Sequence, residues 1–489
     1  MKTSLKIFLF IIISVSSCSK KEIIKLPITT SSTKAFEYFE RAMLSYQVGD
    51  GPECNADLDS ALAIDPSFAM ALEFYESQNP RENIEFREKA KSLFPKISEA
   101  ERKIINIREG YREGNMDKAL KNAKWLINNH GESYESYVWL GIVQSDRYEL
   151  DDAIKSLNKA IELNKDAYDA YDILMGHHIG AGNQVMLPAE KRDVELGMKY
   201  GDELIRIRGD HGYPYHFKAN VYRQLGQFEK AKPLYEKSIE KRKDRSSEST
   251  AYLVSGHNYM FSGDLETARK RYDKAIELEK EPNWKFILSF YLTVSHIFDN
   301  DYYGALDNIN KVEKGLSSYN FDDVSLLSRK RDISWQKLVC YAHNQMEEEA
   351  YEALAQQIKY NKQRATLLND ENVFRNVKSF EQYLTAWVNI LFGKYEVAKK
   401  NLATLKDFQQ KRNDPTAMYE YYSLSGMVNL MEGNIEQAVS DFELGDVTNI
   451  YYNYFRGLAL KAGGQKEAAD KVFTQIAKVN FSNWDIAIV

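Results

Sequence analysis

Two adjacent histidines, His177 and His178, stand beside Gly176, Gly180 and Gly182, a combination that invites a metal-ion or phosphate reading. The spacing argues against both. Consecutive residues on a helix point about 100° apart, and no carboxylate stands at a ligand spacing found in known metal motifs. The glycines do not follow a strand, so a phosphate loop is not expected. They read instead as the end of a first helix in an irregular unit. His211, His216, His257 and His296 are scattered and read as solvated or packed residues. No nucleophile elbow, zinc spacing or dinucleotide fingerprint occurs. The expectation is a non-catalytic protein with no cofactor and no metal.

Three cysteines cannot form a disulfide framework. Cys54 and Cys340 fall where periodic segments call for a small apolar residue, and are expected as buried thiols; a disulfide between them is the alternative. Cys18 is different. It follows a start containing Lys2 and Lys6, an apolar run from Ile7 to Ile13, and then Val15-Ser16-Ser17. The run is far shorter than the roughly 20 apolar residues a finished transmembrane helix needs. An aliphatic residue, two small ones and a cysteine resemble a bacterial lipobox. Residues 1–17 are therefore expected as a lipoprotein signal peptide, with Cys18 as the lipidated residue. Diacyl plus amino-terminal acylation supplies the second chain that stable anchoring requires. Residues 18–34 carry no aromatic and read as a flexible tether.

Charge excludes a further class. The net charge is −6, and removing residues 1–17 takes away Lys2 and Lys6, leaving −8. Without a basic stripe, nucleic acid is not an expected partner. At 489 residues the chain also exceeds the size of a single hydrophobic core.

Self-similarity is the strongest signal. Gly256, Ala268 and Ala275 are small residues separated by twelve and then seven positions. The spacing recurs at Gly141, Ala153, Ala160; at Ala219, Ala231, Ser238; at Ala42, Cys54, Ala61; and at Gly426, Ala438, Gly445. Weaker copies, Ile107/Ala119, Thr293/Ala305, Leu338/Ala350, Ala386/Ala398 and Gly457/Ala469, keep the middle alanine. Seven positions after the first member a glycine is common: Gly49, Gly114, Gly226, Gly263, Gly393, Gly433, Gly464. The small residues predict two antiparallel helices crossing closely, and the glycine predicts a left-handed end to the first helix. Four residues beyond the middle alanine comes a large side chain, such as Leu157, Tyr272, Phe442 or Phe473, on the same helix face.

These residues resemble the tetratricopeptide repeat, whose period is about 34 residues. The best copy is Tyr252, Gly256, Tyr259, Gly263, Ala268, Tyr272, Ala275, Leu278. The resemblance implies an all-α fold, a right-handed α-solenoid of about twelve antiparallel helix pairs. Residues 35–210 read as an N-terminal array with irregular units. A shortened pair falls at 69–96, and a degenerate unit carries an insertion at Gly182–Glu190. Residues 211–322 read as regular central units, and 323–489 as a C-terminal array. Longer helices are expected around 323–368, with Ser, Asp, Lys and Arg on their outer faces.

In this family the first helix of each pair lines the concave surface. Projecting that rule gives a candidate groove of Tyr213, His216, Asn220, His257, Phe290, Trp335, Tyr383, Trp387 and Tyr454, turning from polar to aromatic along the chain. Tight curling that buries these residues is the alternative. Some family members clamp acidic tails with Lys, Asn and Arg on three first helices; here Asn220 alone falls on such a place. The implied function is a lipid-anchored scaffold binding a protein or peptide partner, with capture of a glycan or peptide for an outer-membrane transporter as the alternative. Ser19 after the lipid cysteine resembles an outer-membrane sorting signal, which gives an expected location in the bacterial envelope facing the periplasm.

Overall fold

The computed structural model describes residues 23–77, 79–179, 185–412 and 414–480. Among them are twenty-four α-helices and no strand. The N-terminal helices are α1 (Thr33–Gln47), α2 (Gly51–Ile64), α3 (Ala69–Phe74), α4 (Pro80–Ser92), α5 (Glu99–Glu113), α6 (Met116–His130), α7 (Tyr134–Asp146) and α8 (Leu150–Leu163). The middle holds α9 (Tyr168–Ile179), α10 (Val194–Arg208), α11 (Tyr213–Gln224), α12 (Phe228–Arg242), α13 (Glu248–Phe261), α14 (Leu265–Leu278), α15 (Pro282–Phe298) and α16 (Tyr302–Gly315). The C-terminal set is α17 (Asp323–His343), α18 (Glu347–Leu368), α19 (Glu371–Leu391), α20 (Tyr395–Gln409), α21 (Tyr419–Met431), α22 (Ile435–Leu444), α23 (Ile450–Ala462) and α24 (Lys466–Ala477). Each odd-numbered helix packs on the even-numbered helix after it, giving twelve pairs, and each pair packs on the next.

The turn inside a pair is built from two neighbouring residues. Gly49, Gly114, Gly226, Gly263, Gly393, Gly433 and Gly464 all have positive φ, between +64° and +86°. Where the glycine is missing, Tyr148, Asn300 and Gln345 adopt the same left-handed geometry, with φ of 57–59°. Tyr or Gln there costs about 1–2 kcal/mol, whereas Asn adopts this region more readily, so the helix crossing, not local preference, holds the turns at Tyr148 and Gln345. In four pairs the next residue caps the second helix. Asp50, Asn115, Asp264 and Asp301 accept from the backbone N–H of Glu53, Lys118, Thr267 and Gly304 at 2.8–3.3 Å. Each such cap contributes roughly 1 kcal/mol.

The close crossing follows from the small residues. A Cβ on Gly256 would lie 2.5 Å from the Tyr272 ring, one on Gly141 2.6 Å from Leu157, and one on Gly457 2.6 Å from Phe473. Small and large residues thus interlock across every such pair, at close-packed density. Ala153, Ala219, Ala231, Ala268, Ala305, Ala350, Ala398 and Ala438 are all fully buried. Cys54 and Cys340 are buried free thiols, as expected, and burial pushes both up to about 12.

Departures from regularity fall near the expected places. The short pair is α3, of six residues, with α4, followed by a 3-10 turn at Phe94–Lys96. A long connection separates α9 from α10. Helices α17, α18 and α19 run to 21–22 residues.

The solenoid curls far enough for distant pairs to touch. Arg81 of α4 pairs with Asp323 of α17 at 3.2 Å, and the Tyr148 and Tyr419 rings lie 6.4 Å apart. His211 reaches Glu53 at 2.8 Å, and Arg223 donates Nε to the carbonyl of Asn480 at 2.9 Å. The stretch expected as a loose tether, 18–34, is built into the fold over its second half. Leu26 is buried and its N–H donates to Glu135. Thr29 bonds Glu101 through both N–H and hydroxyl, Ser31 N–H reaches Asp65, and α1 begins at Thr33. Residues 1–17, the lipobox and Cys18 lie outside the described residues. No helix among the described residues is long and apolar enough to cross a membrane.

Candidate binding cleft between the long helices

The extra length of α17, α18 and α19 lies at one end. The repeat's crossing residues Leu338, Ala350 and Ala386 sit towards the α17–α18 turn. The added turns therefore project from the opposite end, where α17 begins, α18 finishes and α19 starts. Together with α15 they enclose a cleft of about 840 Å³, within the range of ligand-binding clefts. Helical spacing supplies its walls. Gln357, Asn361 and Arg364 repeat at four and three residues along α18, while Val373, Val377 and Phe380 do so along α19. Phe286, Phe290 and Trp335 form an aromatic side, with the Phe290 and Trp335 rings 6.3 Å apart.

Charge in the cleft is unbalanced. Arg329, Arg331, Arg364 and Arg412 line it against Asp332 and Glu420. Asp332 is shared: Arg329 reaches it at 3.1 Å and Arg331 at 2.6 Å. Arg364 donates Nε to the Ser328 hydroxyl at 3.0 Å. The Arg329 Nε is buried with no hydrogen-bond partner among the described residues. Burial holds the Arg329 and Arg364 guanidiniums below the usual arginine value, and Arg331 adds to the effect on Arg364. Arg412 closes the far rim, held by Asp414 at 3.0 Å and covered by the turn after α5, where a Cβ on Gly114 would meet it at 3.0 Å. The outer-face assignment of the charged residues of 323–368 is corrected here for Arg329, Arg331, Asp332 and Arg364. The periodic pattern shows which residues share a face, but not that added turns flare away from their neighbours and turn that face inward.

The nine groove candidates divide. Phe290 and Trp335 line the cleft and are half-buried. Tyr383 is half-buried, stacks on Phe380 with ring centres 5.8 Å apart, and its hydroxyl bonds that of Tyr452. Tyr454 is half-buried against Phe473. Trp387 is buried and donates its indole N–H to Tyr451 at 3.1 Å.

The central four are sealed. Tyr213, His216, Asn220 and His257 are buried. Arg223 donates to the Tyr235 hydroxyl, which donates to Asn220 at 2.7 Å, while His257 Nδ1 and the Tyr272 hydroxyl are 2.8 Å apart. The Arg242 guanidinium lies 3.8 Å over the Tyr213 ring. Burial holds His216 and His257 well below the ordinary histidine value, with Arg242 and Arg223 adding to the effect on His216 and Arg223 on His257.

Two metal-like constellations meet different ends. His177 is fully buried with neither ring nitrogen hydrogen-bonded among the described residues, and burial beside His178 pushes it down to about 4. His178 accepts from the Asp193 N–H at 3.0 Å, so its ring serves the α9–α10 connection. Asp50, Glu53 and His211 bring ligand atoms within 4.8 Å of one another, a grouping that crosses 158 residues and so leaves no mark on sequence spacing. Arg245 sits 3.5 Å from Glu53, and the buried Arg242 faces Asp50. Cations already supplied by the protein oppose a metal there; the cluster ties the first pair to the middle of the chain.

The family model for the tetratricopeptide repeat matches residues 213–244 and 249–282. The chain carries tetratricopeptide repeats. Among solved structures it is similar to a tetratricopeptide repeat protein from Parabacteroides merdae, at 13% identity and a TM-score of 0.34, with 61% of this chain and 98% of that one covered. It is similar to the human IFIT1 dimer with PPP-AAAA, at 18% identity and a TM-score of 0.36, with 84% and 90% covered. A third is YrrB, described as a TPR protein with an unusual peptide-binding site, at 20% identity and a TM-score of 0.25, with 43% and 97% covered. No curated protein matches the chain. Tetratricopeptide-repeat proteins in general bind protein or peptide partners, and the repeat is typically a non-catalytic scaffold.

Proposed function

We propose that this protein is a non-catalytic scaffold that holds a protein or peptide partner in the cleft between α15 and α17–α19. A lipid on Cys18 would tether it to a bacterial envelope membrane, facing the periplasm. The cleft carries the partner half of this reading: 840 Å³ of space with aromatic and amide walls, beside central pairs whose inward residues are occupied with one another. The lipobox-like order of Val15, Ser16, Ser17 and Cys18 carries the anchor half. Residues 19–25 separate Cys18 from Leu26, which is buried and bonded to Glu135, a reach of at most about 29 Å, which would keep the body near the membrane surface.

Affinity capture from detergent-solubilised membranes tests the scaffold. The wild-type chain is expected to retain a stoichiometric partner that Trp335→Ala loses; equal recovery with the variant would remove the cleft from the account. Metabolic labelling with a fatty-acid analogue tests the anchor. Label should disappear with Cys18→Ala, and label that persists would rule the anchor out.

A further inference from the structure

The solenoid has two unlike ends. In each pair the odd helix begins and the even helix finishes at one edge, and the turn between them forms the other. Turn edges of early pairs rest on starting edges of later ones: Glu53 meets His211, Arg81 meets Asp323, Tyr148 meets Tyr419 and Arg223 meets Asn480. That leaves the starting edges of the first pairs at one end and the turn edges of the last pairs at the other. Residues 26–31 cross the first of these ends, bonded to Glu135 at the start of α7, Glu101 at the start of α5 and Asp65 at the end of α2. They run from α7 back towards α1, so the chain leading to Cys18 departs from this end.

The same end is cationic and amphipathic. A depression of about 410 Å³ on α6 is lined by Lys121, Lys124, Trp125 and Asn128, together with Asp117. Lys121 and Lys124 are exposed and form no ion pair among the described residues, whereas Asp117 is answered by Arg147 at 2.7 Å. Trp125 is half-buried, and the Lys103 ammonium, from the start of α5, lies 5.1 Å over its ring. Lys103 also meets Glu99 at 2.8 Å. Where the chain departs, Ile23 and Ile24 are 47% and 48% exposed, an apolar pair flanked in sequence by Lys20, Lys21 and Lys25. At the opposite end the α17–α18 turn carries Glu347, Glu348 and Glu349, all exposed.

We propose that the starting-edge end of the solenoid lies against an anionic lipid surface, with a headgroup phosphate in the depression between Lys103, Lys121 and Lys124. This rests on the anchor reading and adds the face that meets the bilayer. A lipid anchor alone leaves the body free to tumble, and a cationic patch beside it supplies a second contact. An ammonium is a compact cation with rotatable donors, suited to a phosphate that approaches from several angles. The Trp125 ring is amphipathic in the way that the lipid–water boundary favours, and Ile23 and Ile24, a few residues from Cys18, are placed to enter that boundary. The net charge of −6 works with the patch, because the surface that attracts the lysines repels the glutamate-bearing end. Tethering within a short reach raises the effective concentration of the surface, so a small patch suffices.

An environment-sensitive fluorophore on the full lipidated chain tests this. Cys54 and Cys340 are buried, so the label goes to Asn128→Cys in the depression or to Gln345→Cys at the opposite end. In phosphatidylglycerol vesicles the label at 128 should brighten roughly threefold or more over its value in phosphatidylcholine vesicles, and the label at 345 should not. The gain should vanish with Lys121→Gln plus Lys124→Gln and fade as salt is raised. Thermal unfolding checks that the double variant folds. Flotation with the vesicles reads the anchor separately. Flotation with no gain at 128, an equal gain at 345, or a gain indifferent to the double variant would overturn the inference and leave the anchor in place. Failure to float with phosphatidylcholine vesicles would remove the anchor; a gain at 128 with phosphatidylglycerol would then still uphold the surface, and its absence would overturn both. A signal change at 128 with inorganic phosphate alone would make the depression a free-anion site and overturn the lipid proposal.

Discussion

In the pairs α11–α14 the inward side chains meet one another: Arg223, Tyr235 and Asn220 form a hydrogen-bonded chain, and His257 closes on Tyr272. In α17–α19 the corresponding face carries arginines and aromatics around open space. The repeat spacing is shared, and the difference is length. Helices α11–α14 have 12–15 residues, whereas α17–α19 have 21–22. Six to ten extra residues add roughly 9–15 Å of helix. Short helices end where their crossing ends, so polar residues on the inner face must satisfy each other. Long ones run past it, and the surplus surface is where a cleft can form.

The largest effect is expected in the sealed pairs. Gly256→Val drives a side chain into the Tyr272 ring, which a Cβ alone would already meet at 2.5 Å, and should cost about 3 kcal/mol or more in chemical unfolding. Valine placed at the exposed cleft rim, Asn376→Val, should stay within about 0.5 kcal/mol. Equal losses at the two sites would end the contrast.

Acid should act through buried histidines in both regions, since burial holds His177 on α9 and His343 at the end of α17 down to about 4 alike. The folded His177 sits near 4, below the value of about 6.5 in the unfolded chain. The unfolded state therefore binds more protons as pH falls from 6.5 towards 4, and stability is lost through that window and not above it. Fully expressed, the shift amounts to roughly 3 kcal/mol. His177→Phe should lessen the slope of the stability–pH curve between 6.5 and 4, with His216, His257 and His343 keeping the rest; an unchanged curve would mean that the ring is not held neutral.

On the open side the effect is on binding. Trp335→Ala should weaken partner affinity about tenfold, or roughly 1.4 kcal/mol, and also lower the unfolding midpoint, because the ring is half-buried beside Phe290. The smallest effect is a gain. Gln345 is exposed, with φ of 57° at a turn where other pairs have glycine, so Gln345→Gly should raise stability by up to about 1 kcal/mol. Tyr148→Gly should gain less, because Tyr148 also packs on Tyr419.

The pairing and the turns were legible because both are local. Glycine seven residues after a small one, and a large residue four after the next alanine, are consequences of one crossing geometry. They describe Gly256, Gly263, Ala268 and Tyr272 as the structure has them. Curvature was not legible. It depends on contacts such as Arg81 with Asp323, His211 with Glu53 and Arg223 with Asn480, which span 158–257 residues and obey no period. That is why the central candidates, drawn from an inward-facing rule, turn out buried, and why half of the expected tether is bound to Glu135, Glu101 and Asp65. Phe290 and Trp335, named by the same inward-facing rule, line the cleft. Arg329, Arg331 and Arg364 were missed because a charged residue on a long helix ordinarily faces water.

The central claim is that a partner enters between the long helices and not the sealed middle. A photo-crosslinking amino acid placed at Asn376, and separately at the exposed Leu225 at the end of α11, tests it in intact cells. The account predicts a discrete crosslinked species from position 376 and none from 225. A species from 225 alone would contradict it.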